Sequence, residues 1–387
     1  MQNPRKEERA AVAMATTSAL GKRMRKTGST KGDLNCFCSL SLQPEQHGRS
    51  ICFRTAHSPT RSIDFYCIPV DDDFDDDADG CRTPELYGPP TKRIFPFHVS
   101  TKITDSASFA AVGKSMFCVG GHKVNGKGEE SSAIYRFDTT GDNAGCWYRN
   151  SFDLCCPRVY PTTIAMDGEL FVIGSQGDDA PLAEVFDPSS KCSLVLEQTP
   201  KSLDECTFFE TAALRDRNQI LVSCTYVNDA YLLDVKTRVW VKIDPPADFA
   251  TANREAAAVL KTTLCWYNDR LHKLVAYDLN LKKWFKTSIK NLKKVGRQLK
   301  DVYQTDFSLF PLDENHLCFL WADHVTRVLL HCTKVRVSLS DGKFCAAVAS
   351  SRSYIVRDGS RFLDGLLLDL TSIPQEGSTS RDVGGKN

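Results

Sequence analysis

A β-propeller is the fold class this sequence predicts, and three observations predict it. First, a short motif ending in Asp recurs as "IYRFD" at Asp138, "AEVFD" at Asp187, "AYLLD" at Asp234 and "LVAYD" at Asp278, at steps of 49, 47 and 44 residues. Second, the same apolar runs precede each Asp in the same order: "ASFAAVG" then "SMFCVGG", "PTTIAMDG" then "ELFVIGS", "FETAALRD" then "QILVSCT", and "EAAAVLKT" then "TLCWYND". Third, a Trp follows three of the four Asp residues within ten positions, at Trp147, Trp240 and Trp284, and the second copy carries "KCSLVL" there. The runs are short, rich in β-branched and aromatic residues, and separated by turn residues, with no period of 3.6. Four short strands per unit of about 45 residues is the pattern of a propeller blade.

The four clear units cover residues 106–289. Degenerate copies flank them. Residues 34–98 offer "LNCFCSLSL", "SICFRTAH", "SIDFYCIPV" and "RIFPFHV", and residues 305–357 offer "TDFSLFPLD", "HLCFLWADH", "RVLLHCTKVRVSLS" and "FCAAVASSRSYIV". Six four-stranded blades are expected over 34–370, and seven if a strand from one terminus completes a blade made by the other. Residues 1–33 are polar and carry no strand signal, so they read as a disordered basic tail with "GKRMRK" at Gly21–Lys26. "DDDFDDDADG", within the acidic loop 71–80, lacks the glycine, glutamate and flanking helices of a calcium loop and reads as solvated. Residues 371–387 read as a flexible tail.

The repeated residues resemble those of the kelch family, in particular the kelch-like propellers common in plant proteins. The family's glycine pair stands complete as Gly120-Gly121, is degraded to Gly174-Ser175 in the next unit, and is absent from the two after it. Its third-strand aromatic appears as Tyr135, Tyr231 and Tyr277, with Phe186 in the second copy, and its fourth-strand Trp as Trp147, Trp240 and Trp284. The resemblance implies that these are core positions. The glycines then let crowded backbones pass, and "GGHKVNGKG" lacks the spacing of a phosphate loop.

Composition narrows the function. Hydrophobic residues make up 42% and charged residues 25%, with a formal net charge of +1, which gives no pull toward nucleic acid or an anionic membrane. No run reaches the length of a membrane span and the N-terminus lacks a secretory core, so a cytoplasmic or nuclear protein is expected. Sixteen cysteines form no CxxC, and many sit inside apolar runs, so they are expected as reduced, buried thiols without zinc. No F-box precedes the repeats. No nucleophile elbow occurs, and the eight histidines show no ligand pair within one loop, although His316 and His324 flank one strand. No cofactor, metal or catalytic residue is assigned.

The expected function is a non-catalytic interaction module that binds a protein partner through one loop face. The alternatives are a ubiquitin-ligase substrate-recognition subunit, a degenerate structural scaffold, and a metal-dependent kelch-type enzyme. In an up-down blade, the loops joining strands two and three share a face with those joining successive blades. On that face the candidate contacts for an acidic segment are Arg158, Arg254, Lys290, Lys293, Lys294, Arg297 and Lys300.

Overall fold

In the computed structural model the described residues are 49–70, 92–124, 128–140, 145–174, 180–204, 206, 209–224, 229–243, 257–268, 273–292, 307–322, 329–340 and 342–369. The readings of 1–33, 71–80 and 371–387 fall outside them. Among the described residues the secondary structure is almost wholly strand, arranged as six antiparallel blades.

Blade II is β5 (Ser108–Val112), β6 (Ser115–Val119), β7 (Ile134–Asp138) and β8 (Trp147–Arg149). Blade III is β9 (Thr162–Met166), β10 (Glu169–Ile173), β11 (Ala183–Asp187) and β12 (Cys192–Val195). Blade IV is β13 (Phe209–Leu214), β14 (Gln219–Cys224), β15 (Ala230–Asp234) and β16 (Trp240–Ile243). Blade V is β17 (Ala257–Leu260), β18 (Thr263–Asn268), β19 (Lys273–Asp278) and β20 (Lys283–Thr287). Blade VI is β22 (Phe307–Pro311), β23 (His316–Ala322), β24 (Leu329–Ser340) and β25 (Lys343–Ile355). The first-numbered strand of each is innermost, and these strands neighbour one another in turn around a central channel.

Blade I closes the ring. Its outer strands come from the start of the described chain: β1 (Arg49–His57), β2 (Ser62–Pro69) and β4 (His98–Ser100). Its inner strand is β26 (Ser360–Asp369), antiparallel to β1 from Arg49↔Asp369 to His57↔Ser360. A strand from the C-terminal end does complete an N-terminal blade, and the count that results is six. Two short strands strap the rim of blade VI: β3 (Lys92–Arg93) and β21 (Ile289–Lys290) each pair in parallel with β25.

Blades are apolar on both faces because each is sandwiched between two others. The strand β6 is buried at all five positions and so reads as a continuous run without alternation. One apolar cluster fills each of the six blade-to-blade interfaces. Along β1, Ile51 and Phe53 face blade VI while Cys52 faces blade II.

The recurring Asp ends the third strand, and in blades III, IV and V it is a turn cap whose carboxylate accepts hydrogen bonds from the turn that follows; in blade II the Asp138 carboxylate accepts instead from the side chains of Ser115, Arg136 and Tyr148. Asp234 Oδ1 takes the backbone N–H of Thr237 at 2.8 Å and of Lys236 at 3.1 Å, together with the Thr237 hydroxyl at 2.8 Å. Asp187 Oδ1 takes the N–H and hydroxyl of Ser189, and Asp278 Oδ1 the N–H groups of Asn280 and Leu281. This is the Asx-turn use of a short acceptor side chain. Hydrogen bonds from Ser190 and Ser189 hold the Asp187 carboxyl at about 2, and those from Thr237 hold that of Asp234 below the usual range. A depressed folded-state value means stability that is complete above the unfolded value of about 3.9 and lost as pH falls through the folded one. Asp187→Asn with Asp234→Asn should therefore flatten the acid-side stability profile between about pH 4 and pH 2, and NMR titration of the two carboxyls should show the low values directly.

Trp147, Trp240 and Trp284 stand opposite Phe137, Leu233 and Tyr277, each the residue before the recurring Asp, so they are register-equivalent in blades II, IV and V. Ser193, opposite Phe186, holds that place in blade III. All three indoles are half-buried. Trp147 lies 4.7 Å from the ring of Phe65 in blade I, and Trp284 packs 4.6 Å from Tyr277 and 5.0 Å from Trp266. Trp284→Ala should cost about 3 kcal/mol, at the low end for a large aromatic because the ring is only half-covered; chemical denaturation measures it. The third-strand aromatics form two sets. Tyr135 and Tyr231 lie three residues before the Asp, while Phe186 and Tyr277 lie one before, on the same strand face but one pleat along.

The cysteines differ from expectation in two ways. Cys206 and Cys224 form a disulfide that ties the loop before β13 to the end of β14. Cys146, Cys155, Cys192 and Cys345 are exposed, whereas Cys52, Cys118, Cys265, Cys318 and Cys332 are buried. Burial pushes the Cys118 thiol up to about 12.

Candidate interaction face

The two faces of the propeller carry different connections between the strands. On one face the described first-to-second-strand turns are tight, as at Gly113-Lys114 and Asp167-Gly168, the latter with positive φ values of 50° and 83° that give the primed turn matching strand twist. On the other face lie the longer connections: 101–107 into β5, 120–133 within blade II, 150–161 between blades II and III, and 196–208 between blades III and IV.

The loops of blades II and III are stitched together from inside, and Arg158 is the stitch. Its side chain is fully buried. Nε donates to Glu184 Oε1 at 2.7 Å, Nη1 to the carbonyls of Gly174 and Leu182 at 3.0 and 3.2 Å, and Nη2 to the carbonyl of Pro181 at 2.8 Å. Glu184, also fully buried, takes the N–H of Cys155 on its other oxygen at 2.6 Å. The Arg158 carbonyl in turn accepts from Gly121 N–H at 2.7 Å. The glycine pair allows this approach. A Cβ on Gly120 would lie 2.7 Å from the Arg158 carbonyl oxygen, and one on Gly121 would lie 2.5 Å from Thr104 Oγ1, both at positive φ.

This placement corrects the expectation for Arg158. It comes from an inter-blade loop, yet it is an internal cross-link and presents nothing to a partner. Lys290 is exposed, but on the strap β21 at the rim of blade VI and not among the described loops. Arg254, Lys293, Lys294, Arg297 and Lys300 lie outside the described residues.

At the centre of the loop face is the mouth of the channel, whose volume is about 1450 Å³. Its wall is mostly small residues of the inner strands, such as Ala111, Thr163, Ala165 and Ala213. Two ion pairs join charges of this wall. Arg361 contacts Asp105 at 3.0 Å, and deeper in, Arg54 grips Asp364 with two bonds of 2.6 and 2.7 Å while also donating to the Ala107 carbonyl. Beside the mouth, Ser106 Oγ meets His122 Nδ1 at 2.9 Å, and the Tyr160 ring stands edge-on to His122 at 6.1 Å. Tyr160 is 52% exposed with φ of 52°, a left-handed backbone that turns its ring outward from the stitched loop. Phe152 and Val124 are the other exposed large apolar side chains of these loops.

Among the described residues, no three His, Cys, Asp or Glu side chains gather as a metal site. His316 bonds to Asp313 at a turn on the opposite face, and His324 lies outside the described residues. Three features of this region were not legible in the sequence: the Arg158–Glu184 pair, the Arg54–Asp364 pair and the disulfide. Each joins residues from different runs whose pairing no local spacing announces. Compared with known proteins, the chain matches no family model and no curated protein.

Proposed function

We propose that this protein is a kelch-type interaction module that receives a protein partner on its long-loop face. The observation that carries the reading is the asymmetry of the two faces. One has tight first-to-second-strand turns, while the other gathers the loops of blades II and III on a cross-linked base and exposes Phe152, Tyr160 and Val124 beside the channel mouth. The partner would offer an apolar or aromatic contact to those side chains. Its acidic segment would meet the basic run of Lys293, Lys294, Arg297 and Lys300, which has no acid before Asp301.

Affinity purification with mass spectrometry tests the reading. Phe152→Ala with Tyr160→Asn, the latter chosen because Asn tolerates left-handed backbone, should lose partners that the wild type recovers. Leu281→Ser, on the opposite face, should keep them. Lys293→Glu, Lys294→Glu and Arg297→Glu together should weaken recovery more at low salt than at moderate salt. An identical partner set for all variants would overturn the face assignment. Recovery of a ubiquitin-ligase core would make the module a substrate-recognition subunit.

A further inference from the structure

Blade I, which closes the ring, carries a pair of thiols in register. Cys52 of β1 and Cys67 of β2 are direct cross-strand partners, and their sulfurs lie 3.3 Å apart. Directly opposite residues of an antiparallel pair have Cα atoms about 4.5–5.5 Å apart, inside the window of about 4.4–6.8 Å that a disulfide spans. Blade VI offers a comparison. Cys318 and Cys332 also bring their sulfurs close, to 3.5 Å, but Cys318 stands opposite Lys334 and Cys332 opposite Leu320. They are a diagonal pair, with backbones about 7–8 Å apart, at or beyond what closes without moving a strand. Access separates the pairs as well. Cys318 and Cys332 are both buried, whereas Cys67 is partly exposed beside a buried Cys52.

We propose that Cys52 and Cys67 are a thiol–disulfide exchange site, at which a small disulfide of the glutathione class oxidises the pair to a cross-strand bond inside the closing blade. Cys67 is the attacking sulfur. It is the one a reagent reaches, and a hydrogen bond from the Cys52 thiol draws its pKa down against the effect of burial. The Cys67 thiolate attacks one sulfur of the reagent, forming a mixed disulfide and releasing one small thiolate. Cys52 then gives up its proton, and its sulfur attacks Cys67, expelling the second small thiolate. Two protein thiols become one disulfide, and one small disulfide becomes two thiols, so electrons and protons balance. The product ties β2 to β1, the strand that β26 must meet.

Peptide mapping of the full chain tests the site. The purified protein is equilibrated with oxidised and reduced glutathione, quenched in acid, alkylated after unfolding and digested. The expected result is a peptide joining Cys52 to Cys67, with Cys318 and Cys332 recovered alkylated. Oxidation should also raise the thermal midpoint, a reductant should reverse the rise, and Cys67→Ser should abolish it. Cys52→Ser removes the resolving sulfur and should leave a lasting glutathione adduct on Cys67. If that variant does not fold, the wild-type map decides alone. The proposal is overturned if Cys52 and Cys67 stay alkylatable under conditions that convert exposed Cys146 or Cys345 to mixed disulfides, or if Cys318–Cys332 is the linkage that forms.

Discussion

A chain ended at Arg357 should not fold. Of the described strands that truncation removes one, β26, but β26 is the inner strand of blade I and one wall of the channel. Without it β1 loses its whole inner ladder, Phe362 and Leu368 leave two interfaces, and Arg54, 2% exposed, keeps a buried charge with no Asp364 to meet it. Stranding a buried charge alone costs about 3–5 kcal/mol, a large part of a typical stability of about 5–15 kcal/mol. The measurement is solubility and the presence of a cooperative thermal transition. A rearranged chain separates loss of the strand from loss of length. Because Arg49 lies opposite Asp369, residues 358–369 can be placed ahead of residue 49 through a short hairpin linker. That permutant should recover a cooperative transition. A well-folded truncated chain would contradict the role of β26 as ring closure.

Arg158→Met should cost about 3–5 kcal/mol, the second large effect. The substitution roughly preserves volume, but it leaves the fully buried Glu184 carboxylate without its counter-charge and takes the guanidinium donors from the carbonyls of Gly174, Pro181 and Leu182. Arg158→Met with Glu184→Met should recover part of the loss, because the remaining partner no longer carries a buried charge. Guanidinium denaturation at constant slope measures both. A single-variant loss below about 1 kcal/mol would mean that the pair is not the link between blades II and III.

These two residues also mark where sequence reasoning stopped. Blades II to V were legible because Asp138, Asp187, Asp234 and Asp278 end strand three at a nearly constant period, the last three of them capping the turn that follows. The β26 segment, "SRFLDGLLLD", falls outside the four units that repeat, and its partner β1 lies at the other end of the described chain. It lies within the span 34–370 expected for the propeller, but nothing local announces which strand it pairs with. Arg158 looked like a surface cation because arginines in loops usually are; only its proximity to Glu184, 26 residues on and across a blade boundary, takes it inside. Cys224 sits at the end of an apolar run and therefore read as a small hydrophobe, and its bond to Cys206 depends on how the preceding loop returns over blade IV.

The ring closure has a temporal consequence. Arg54 and Asp364 are 310 positions apart, so at about 5–20 residues per second the ribosome needs on the order of 15–60 s to make the second after the first. For that interval β1 carries an open hydrogen-bonding edge with Phe53 and Ile51 beside it, the kind of edge that templates pairing between chains. Slow translation, a chain stalled before residue 360, or a high concentration of nascent copies should therefore favour aggregation through blade I. A chaperone acting on this protein would find its most useful grip on residues 49–57.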